Sequence, residues 1–195
     1  MNNNEKVLQA VQNRYGKEKA TKSFLRQEAV LKNNVNTYSF SFAGNVAGVS
    51  TESRLAQQDV FFASEIAIFL LREADATPGA GALRSFVDSA VFAAAAGFTP
   101  AHLEAVYNGY IRAEMGKKVV IEKHPTLNMR KVPTEFLGNE VFDSLDQGLV
   151  LYGNEKNALN LIIPSFAGIQ VESVTAGTSN KVVMVLNGYL VAGAI

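Results

Sequence analysis

Leu149-Val150-Leu151-Tyr152, Ala158-Leu159-Asn160-Leu161-Ile162-Ile163 and Val182-Val183-Met184-Val185-Leu186 lie in the last quarter of the chain, and their reading decides the fold. Each is short, rich in branched or large apolar side chains, and bounded by turn formers: Gly153, Asn154, Pro164, Gly177 and Gly188. That is the pattern of β-strands and their punctuation. From Gly148 to Ile195 only Glu155, Lys156, Glu172 and Lys181 carry charge. The unbroken apolar run at 182–186 predicts a strand covered on both faces, by an opposing sheet or by another copy of the chain.

Working outward, other segments carry the same signature. Tyr38, Phe40 and Phe42 alternate with Ser39 and Ser41, the two-residue period of a half-buried strand. Val60 to Leu71 is nearly continuous in apolar residues and is read as a long core strand, with Glu65 its one odd member. A carboxylate placed there without a visible partner points to a bulge, a sheet rim or a subunit contact. Tyr110–Met115 and Lys118–Glu122, joined at Gly116-Lys117, form a hairpin pattern. Thr99-Pro100 opens a short helix, with Thr99 as its cap. Residues 124–133 read as an extended connection, and Phe136–Gln147 as a stretch with a helical turn before Gly148 opens the terminal strands.

The amino-terminal part differs. Val7, Leu8, Val11 and Tyr15 fall at helical spacing, with Gly16 as a stop, and Phe24–Leu31 is either strand or helix. Lys6, Arg14, Lys17, Lys19, Lys22 and Arg26 make this region locally basic within a chain whose 18 basic and 18 acidic residues cancel. We therefore divide the chain into a partly helical basic arm, 1–33, and a single β domain, 34–195. The arm's basic residues are candidates for contact with a neighbouring subunit or with nucleic acid, against the plainer reading of a solvated helix face. The fold class expected is mainly β: an antiparallel, jelly-roll-like sandwich or barrel with a short helical arm and one or two short helices in loops.

Composition narrows function. A content of 48% hydrophobic and 18% charged residues argues against disorder, and zero net charge gives little electrostatic protection against self-association. The absence of Cys excludes disulfides and thiolate chemistry. Residues 1–6 lack the pattern of a signal peptide, and no apolar run reaches the roughly 20 residues of a transmembrane helix. His102 and His124 are the only histidines, stand in no metal-binding pattern, and read as solvated side chains. Gly79 and Gly81 lack the Lys-Ser/Thr ending of a phosphate loop, and no Gly-x-Ser-x-Gly elbow occurs. No cofactor and no catalytic site are expected, although Glu65 with Arg112 or Glu114 stands as the residual enzymatic alternative.

Tyr152-Gly153-Asn154-Glu155-Lys156-Asn157 leading into Leu159–Pro164, then Asn180–Val191, together with Tyr107-Asn108-Gly109-Tyr110 and its hairpin, resembles the closing strands of bacteriophage β-barrel capsid proteins. The resemblance covers the carboxyl-terminal half. It implies a jelly-roll virion shell subunit, made in the host cytoplasm, that self-assembles through loops and arms with copies of itself and other virion proteins. Its amino-terminal segment would face inward or grip a neighbour, touching packaged nucleic acid non-specifically. The resemblance brings no catalytic residues. The alternative is a carbohydrate- or receptor-binding sandwich of a fibre or adhesin, with Tyr107, Tyr110 and Tyr189 as its platform. On the first reading, deletion of residues 1–33 would leave a folded β domain that assembles poorly.

Overall fold

The computed structural model describes residues 3–16, 19–42, 55–132, 141–164 and 168–195, with the side chain of Gln147 left aside. Among the described residues one α-helix, α1 (Asn3–Tyr15), precedes eight strands: β1 (Ala20–Val30), β2 (Thr37–Ser41), β3 (Val60–Ala74), β4 (Tyr110–Met115), β5 (Lys118–Pro125), β6 (Asp143–Tyr152), β7 (Asn157–Ile162) and β8 (Thr178–Val191). Two four-stranded sheets result, with orders β1-β8-β3-β6 and β2-β7-β4-β5. Every pairing is antiparallel, and β1 with β8, β2 with β7, β3 with β6 and β4 with β5 join strands whose numbers always add to nine. That is the wiring of a jelly roll, an antiparallel ribbon of four strand pairs rolled into a two-sheet sandwich.

Between the sheets, the large side chains predicted from alternation meet. Tyr38 and Phe40 from β2, Leu159 and Leu161 from β7, and Ile111 and Ala113 from β4 pack against Phe61, Ile66, Ile68, Leu70, Val182, Met184 and Leu186. The strand at 182–186 is covered on both faces, and within one chain. Val182, Met184 and Leu186 face the opposing sheet, while Val183 and Val185 lie outside with Leu71, beside Phe69, Leu83 and Phe142. No second copy is needed to cover it, because the β3–β4 and β5–β6 connections supply Leu83 and Phe142.

The other end of the same outer face is covered by α1. Val7 and Val11 are buried against Val60, Phe62 and Val191, with Tyr15 edge-on to Phe62. The division at residue 33 therefore does not follow the architecture: α1 is a cover for the sheet, and β1 pairs along its whole length with β8, from Ala20↔Val191 to Val30↔Lys181. Only Leu25 is fully buried in β1, since an edge strand has a single sheet neighbour and turns Lys22, Phe24, Arg26 and Glu28 outward.

Glu65 lies at a bulge. The register of β3 shifts between Ala63 and Glu65 against both β6 and β8, so Phe61 and Ala63 point inward before it and Ile66, Ile68 and Leu70 after it. Helix α1 fills the break: the Asn3 amide donates to the carbonyls of Ser64 and Leu145 at 3.1 and 2.6 Å, and the Asn4 amide donates to Glu65 Oε1 at 2.6 Å. Ser64 Oγ donates to Asn4 Oδ1. Opposite the bulge, a Cβ on Gly188 would stand 1.9 Å from the Phe62 carbonyl oxygen, so this position on β8 accepts only glycine.

Two short segments differ from expectation. Pro100–Val106 is a 3-10 helix, and Thr99 makes no side-chain cap; its hydroxyl bonds Gln170 instead. Of the stretch Phe136–Gln147, Val141 is in a 3-10 turn and Asp143–Gln147 is the start of β6, so Gly148 does not open that strand but sits inside it at φ +64°. The β4–β5 hairpin forms as predicted, with Gly116 at φ +60° in the first turn position. Pro133–Glu140 and Ala43–Arg54 lie outside the described residues, as do the loop read at Gly44–Ser50 and part of the polar stretch at 51–58.

Candidate assembly surface

Antiparallel wiring places the β1–β2, β3–β4, β5–β6 and β7–β8 connections together at one end of the sandwich. Polar clasps bind these connections into one platform. Asn33 Oδ1, from the first, accepts the N–H groups of Val171 and Glu172 in the last at 2.7 and 3.1 Å, and Lys32 reaches Glu172 at 3.5 Å. Thr99 Oγ1 lies 3.1 Å from Gln170 Oε1, and the Gln170 N–H donates to His102 Nδ1 at 2.9 Å. Arg130 holds Glu104 with two bonds of 2.7 and 2.9 Å, a bidentate clasp between the second and third connections. Thr126, fully buried, donates to the Val106 carbonyl.

Apolar side chains protrude from this polar framework. Val35, Leu127, Val132 and Val174 are 38% to 59% exposed, and they come from three of the four connections. A hydrophobic side chain on a flexible loop folds back; on a clasped loop it stays in water unless a partner covers it. The platform thus combines loops cross-linked by hydrogen bonds with four exposed apolar side chains.

The basic residues singled out in the sequence lie elsewhere. Lys6 and Arg14 are exposed on α1, Lys19 precedes β1, and Lys22 points outward from β1, so all four stand on the side of the sandwich that α1 covers. Arg14 lies 5.2 Å from the Tyr15 ring centre. Arg26 is engaged, 2.5 Å from Glu28. Lys17 is outside the described residues.

An ionic cluster continues from Arg26 and Glu28 across the same sheet. The Lys181 ammonium reaches Glu28 at 3.1 Å and also holds Glu73, whose side chain is only 2% exposed. Burial alone would raise the Glu73 carboxyl, but the Lys181 ammonium and the Gly79 N–H, 2.8 Å away, outweigh it and hold that carboxyl below its ordinary range. Burial likewise opposes the charge of Lys181, and its two carboxylate partners raise it above the ordinary lysine value.

Residues weighed for chemistry do not converge. Glu65 faces α1 on one sheet, while Arg112 and Glu114 pair at 2.9 Å on the other. Tyr107 is fully buried with its hydroxyl on the Arg84 carbonyl, and burial pushes its pKa far up; Tyr110 and Tyr189 lie on different sheets. These tyrosines form no common platform. Neither histidine is simply solvated: His102 accepts from Gln170, and His124 Nε2 lies 3.1 Å from Asp143 Oδ2. Among the described residues no three His, Asp or Glu side chains gather to hold a metal, and no helix is long and apolar enough to cross a membrane.

The two seams between the sheets also differ. Between β1 and β2 the Gln27 side-chain amide closes the gap by bonding both backbone groups of Ser41, its oxygen taking the N–H at 2.9 Å. Between β5 and β6 the seam is open, a groove of about 820 Å³. Comparison of the chain with protein-family models, with characterised proteins and with solved structures finds no match.

Proposed function

We propose that this protein is a shell-building subunit, a virion structural protein of the bacteriophage capsid kind, whose copies associate through the clasped loop end. The observation that carries this reading is the platform: four connections cross-linked into a rigid surface from which Val35, Leu127, Val132 and Val174 protrude. The complete jelly-roll wiring supports it, because that architecture recurs in shell proteins, although fold by itself never fixes function. Zero net charge removes the long-range repulsion that would keep copies apart. On this reading the protein is non-catalytic, and Lys6, Arg14, Lys19 and Lys22 form the surface available to nucleic acid or an acidic neighbour.

Light scattering and negative-stain electron microscopy of the purified chain test the proposal. Closed particles or large regular oligomers that grow with concentration are expected. A protein that stays monomeric at high concentration would end it.

A further inference from the structure

The chain has two histidines, and both lie at the clasped end. His102 sits half-buried in the 3-10 helix of the β3–β4 connection, its Nδ1 2.9 Å from the Gln170 backbone nitrogen, whose N–H it accepts. A backbone N–H can only donate, so Nδ1 presents a lone pair and the ring is the neutral tautomer with its proton on Nε2. A second proton could be added only at Nδ1. It would set two donors face to face and end the bond. Gln170 is where that loss is felt. Its neighbours Ile169 and Val171 are buried, and its side-chain oxygen lies 3.1 Å from Thr99 Oγ1. The bonds to His102 and Thr99 together tie the β3–β4 connection to the β7–β8 connection, which carries the protruding Val174.

His124 has the opposite geometry. Its Nε2 lies 3.1 Å from Asp143 Oδ2, a carboxylate oxygen that also takes the Asn128 amide at 3.3 Å. An imidazolium at His124 completes an ion pair, so acid leaves this contact between β5 and β6 in place. The charged groups on the elements around His102 are held by other partners. Glu104 is clasped by Arg130, and Glu172 lies between Lys32 and Asn33. Arg72 donates to Asn180 and to the Val91 carbonyl, with the rings of Phe92 and Phe98 beside its guanidinium. Acidification therefore acts on the clasped end unevenly, against the His102–Gln170 bond and not against the His124–Asp143 pair.

We propose that His102 is a pH-sensitive latch on the loop end: neutral, it fastens the β7–β8 connection to the β3–β4 connection; protonated, it releases it, and copies that meet through this end separate on acidification. The last step rests on the shell-building reading, and the release itself does not. The latched state keeps a proton off Nδ1 and the released state accepts one, so lowering the pH from about 8 to about 5, the span in which imidazoles charge, favours release. Hydrogen exchange of the full chain, read by mass spectrometry on peptides covering residues 168–172 and corrected for the intrinsic rate, tests it. Protection of the Gln170 amide is expected to fall about tenfold across that span, the equivalent of one hydrogen bond. His102→Asn, whose Oδ1 takes the place of Nδ1 and does not titrate, should hold its protection. His124→Asn, which keeps the latch, should show the parent's fall. Constant protection in the parent, the same fall in His102→Asn, or no fall in His124→Asn overturns the latch. Light scattering of the same samples should show particles that come apart in acid in the parent and persist in His102→Asn. Release of Gln170 with no particle at either pH would end the shell reading and uphold the latch, whereas particles that ignore acid while Gln170 is released would overturn the link between them.

Discussion

Lys181→Met isolates the contribution of the ionic cluster on the outer face. In the parent, the Lys181 ammonium holds the nearly inaccessible Glu73 and the more exposed Glu28 at once. Methionine keeps the aliphatic stem and removes the charge. Glu28 retains Arg26 at 2.5 Å, but Glu73 retains only backbone donors such as the Gly79 N–H. Removing one partner of a buried pair costs about 3–5 kcal/mol. Lys181 keeps 16% of its side chain in water, which reduces the expected loss to about 2–3 kcal/mol. For a chain of this length that is a fall in Tm of about 4–12 °C. Glu73→Gln in the Lys181→Met background should recover part of it, because the orphaned charge is then gone. The pH dependence has a defined sign. Glu73, held below its ordinary 4.5, contributes stability that is present above that value and lost as pH falls through its lowered pKa. Lys181, raised above 10.5, contributes stability that is complete below that value and lost as pH rises through its raised pKa. Between these limits the pair's contribution is flat. Urea titrations and thermal melts of the four proteins in the cycle read the result. A single variant within 1 °C of the parent, or strictly additive changes in the double variant, would refute the reasoning.

Leu127→Asp combined with Val174→Asp should abolish association while shifting Tm little, since both side chains are already exposed; size-exclusion chromatography with light scattering reads the first and a thermal melt the second. Gly188→Ala should destabilise by about 2–3 kcal/mol, because its Cβ would collide with the Phe62 carbonyl and force β3 and β8 apart, as a denaturant titration would show. Deleting residues 1–19 should leave a folded sandwich weakened by about 3–5 kcal/mol through loss of Val7, Val11 and Tyr15 from the outer face. Deleting residues 1–33 removes β1 as well and should abolish the native β spectrum by circular dichroism, the reverse of what a detachable arm implies.

The strands legible in the sequence are those whose two faces differ in chemistry or whose faces are both apolar. Tyr38, Phe40 and Phe42 against Ser39 and Ser41 announce β2, and Val182–Leu186 announces β8. Strand β1 was ambiguous because its outward positions carry Phe24 and Val30 as well as Lys22, Arg26 and Glu28, so its alternation is blurred and its charges suggested an arm. The start of β6 was hidden by Asp143, Ser144, Asp146 and an internal Gly148, residues that favour turns unless a partner strand fixes them. The platform was illegible for a different reason. Asn33 meets Val171 and Glu172 across nearly 140 residues, and Thr99 meets Gln170 across 71; no local pattern encodes such pairs. The open seam is likewise a property of two sheet edges that share no sequence neighbourhood.

The edges bear on how copies could meet. A sandwich with free, regular edges tends to grow by adding strands, and each edge here is obstructed. β1 spends its Gln27 side chain on Ser41, β2 is only five residues long, β5 is bulged twice and borders three lysines, and β6 carries the positive-φ Gly148 beneath Val7. The outer face of the β1-β8-β3-β6 sheet is no better suited, because α1, Leu83 and Phe142 cover it. Of the surfaces left for association that keeps the fold intact, the end with four clasped connections presents Val35, Leu127, Val132 and Val174, while Val119, Val120 and Ile195 are exposed elsewhere. Loop-to-loop contact also tolerates variation in angle between neighbours, whereas strand addition fixes one. A curved, closed shell needs the former.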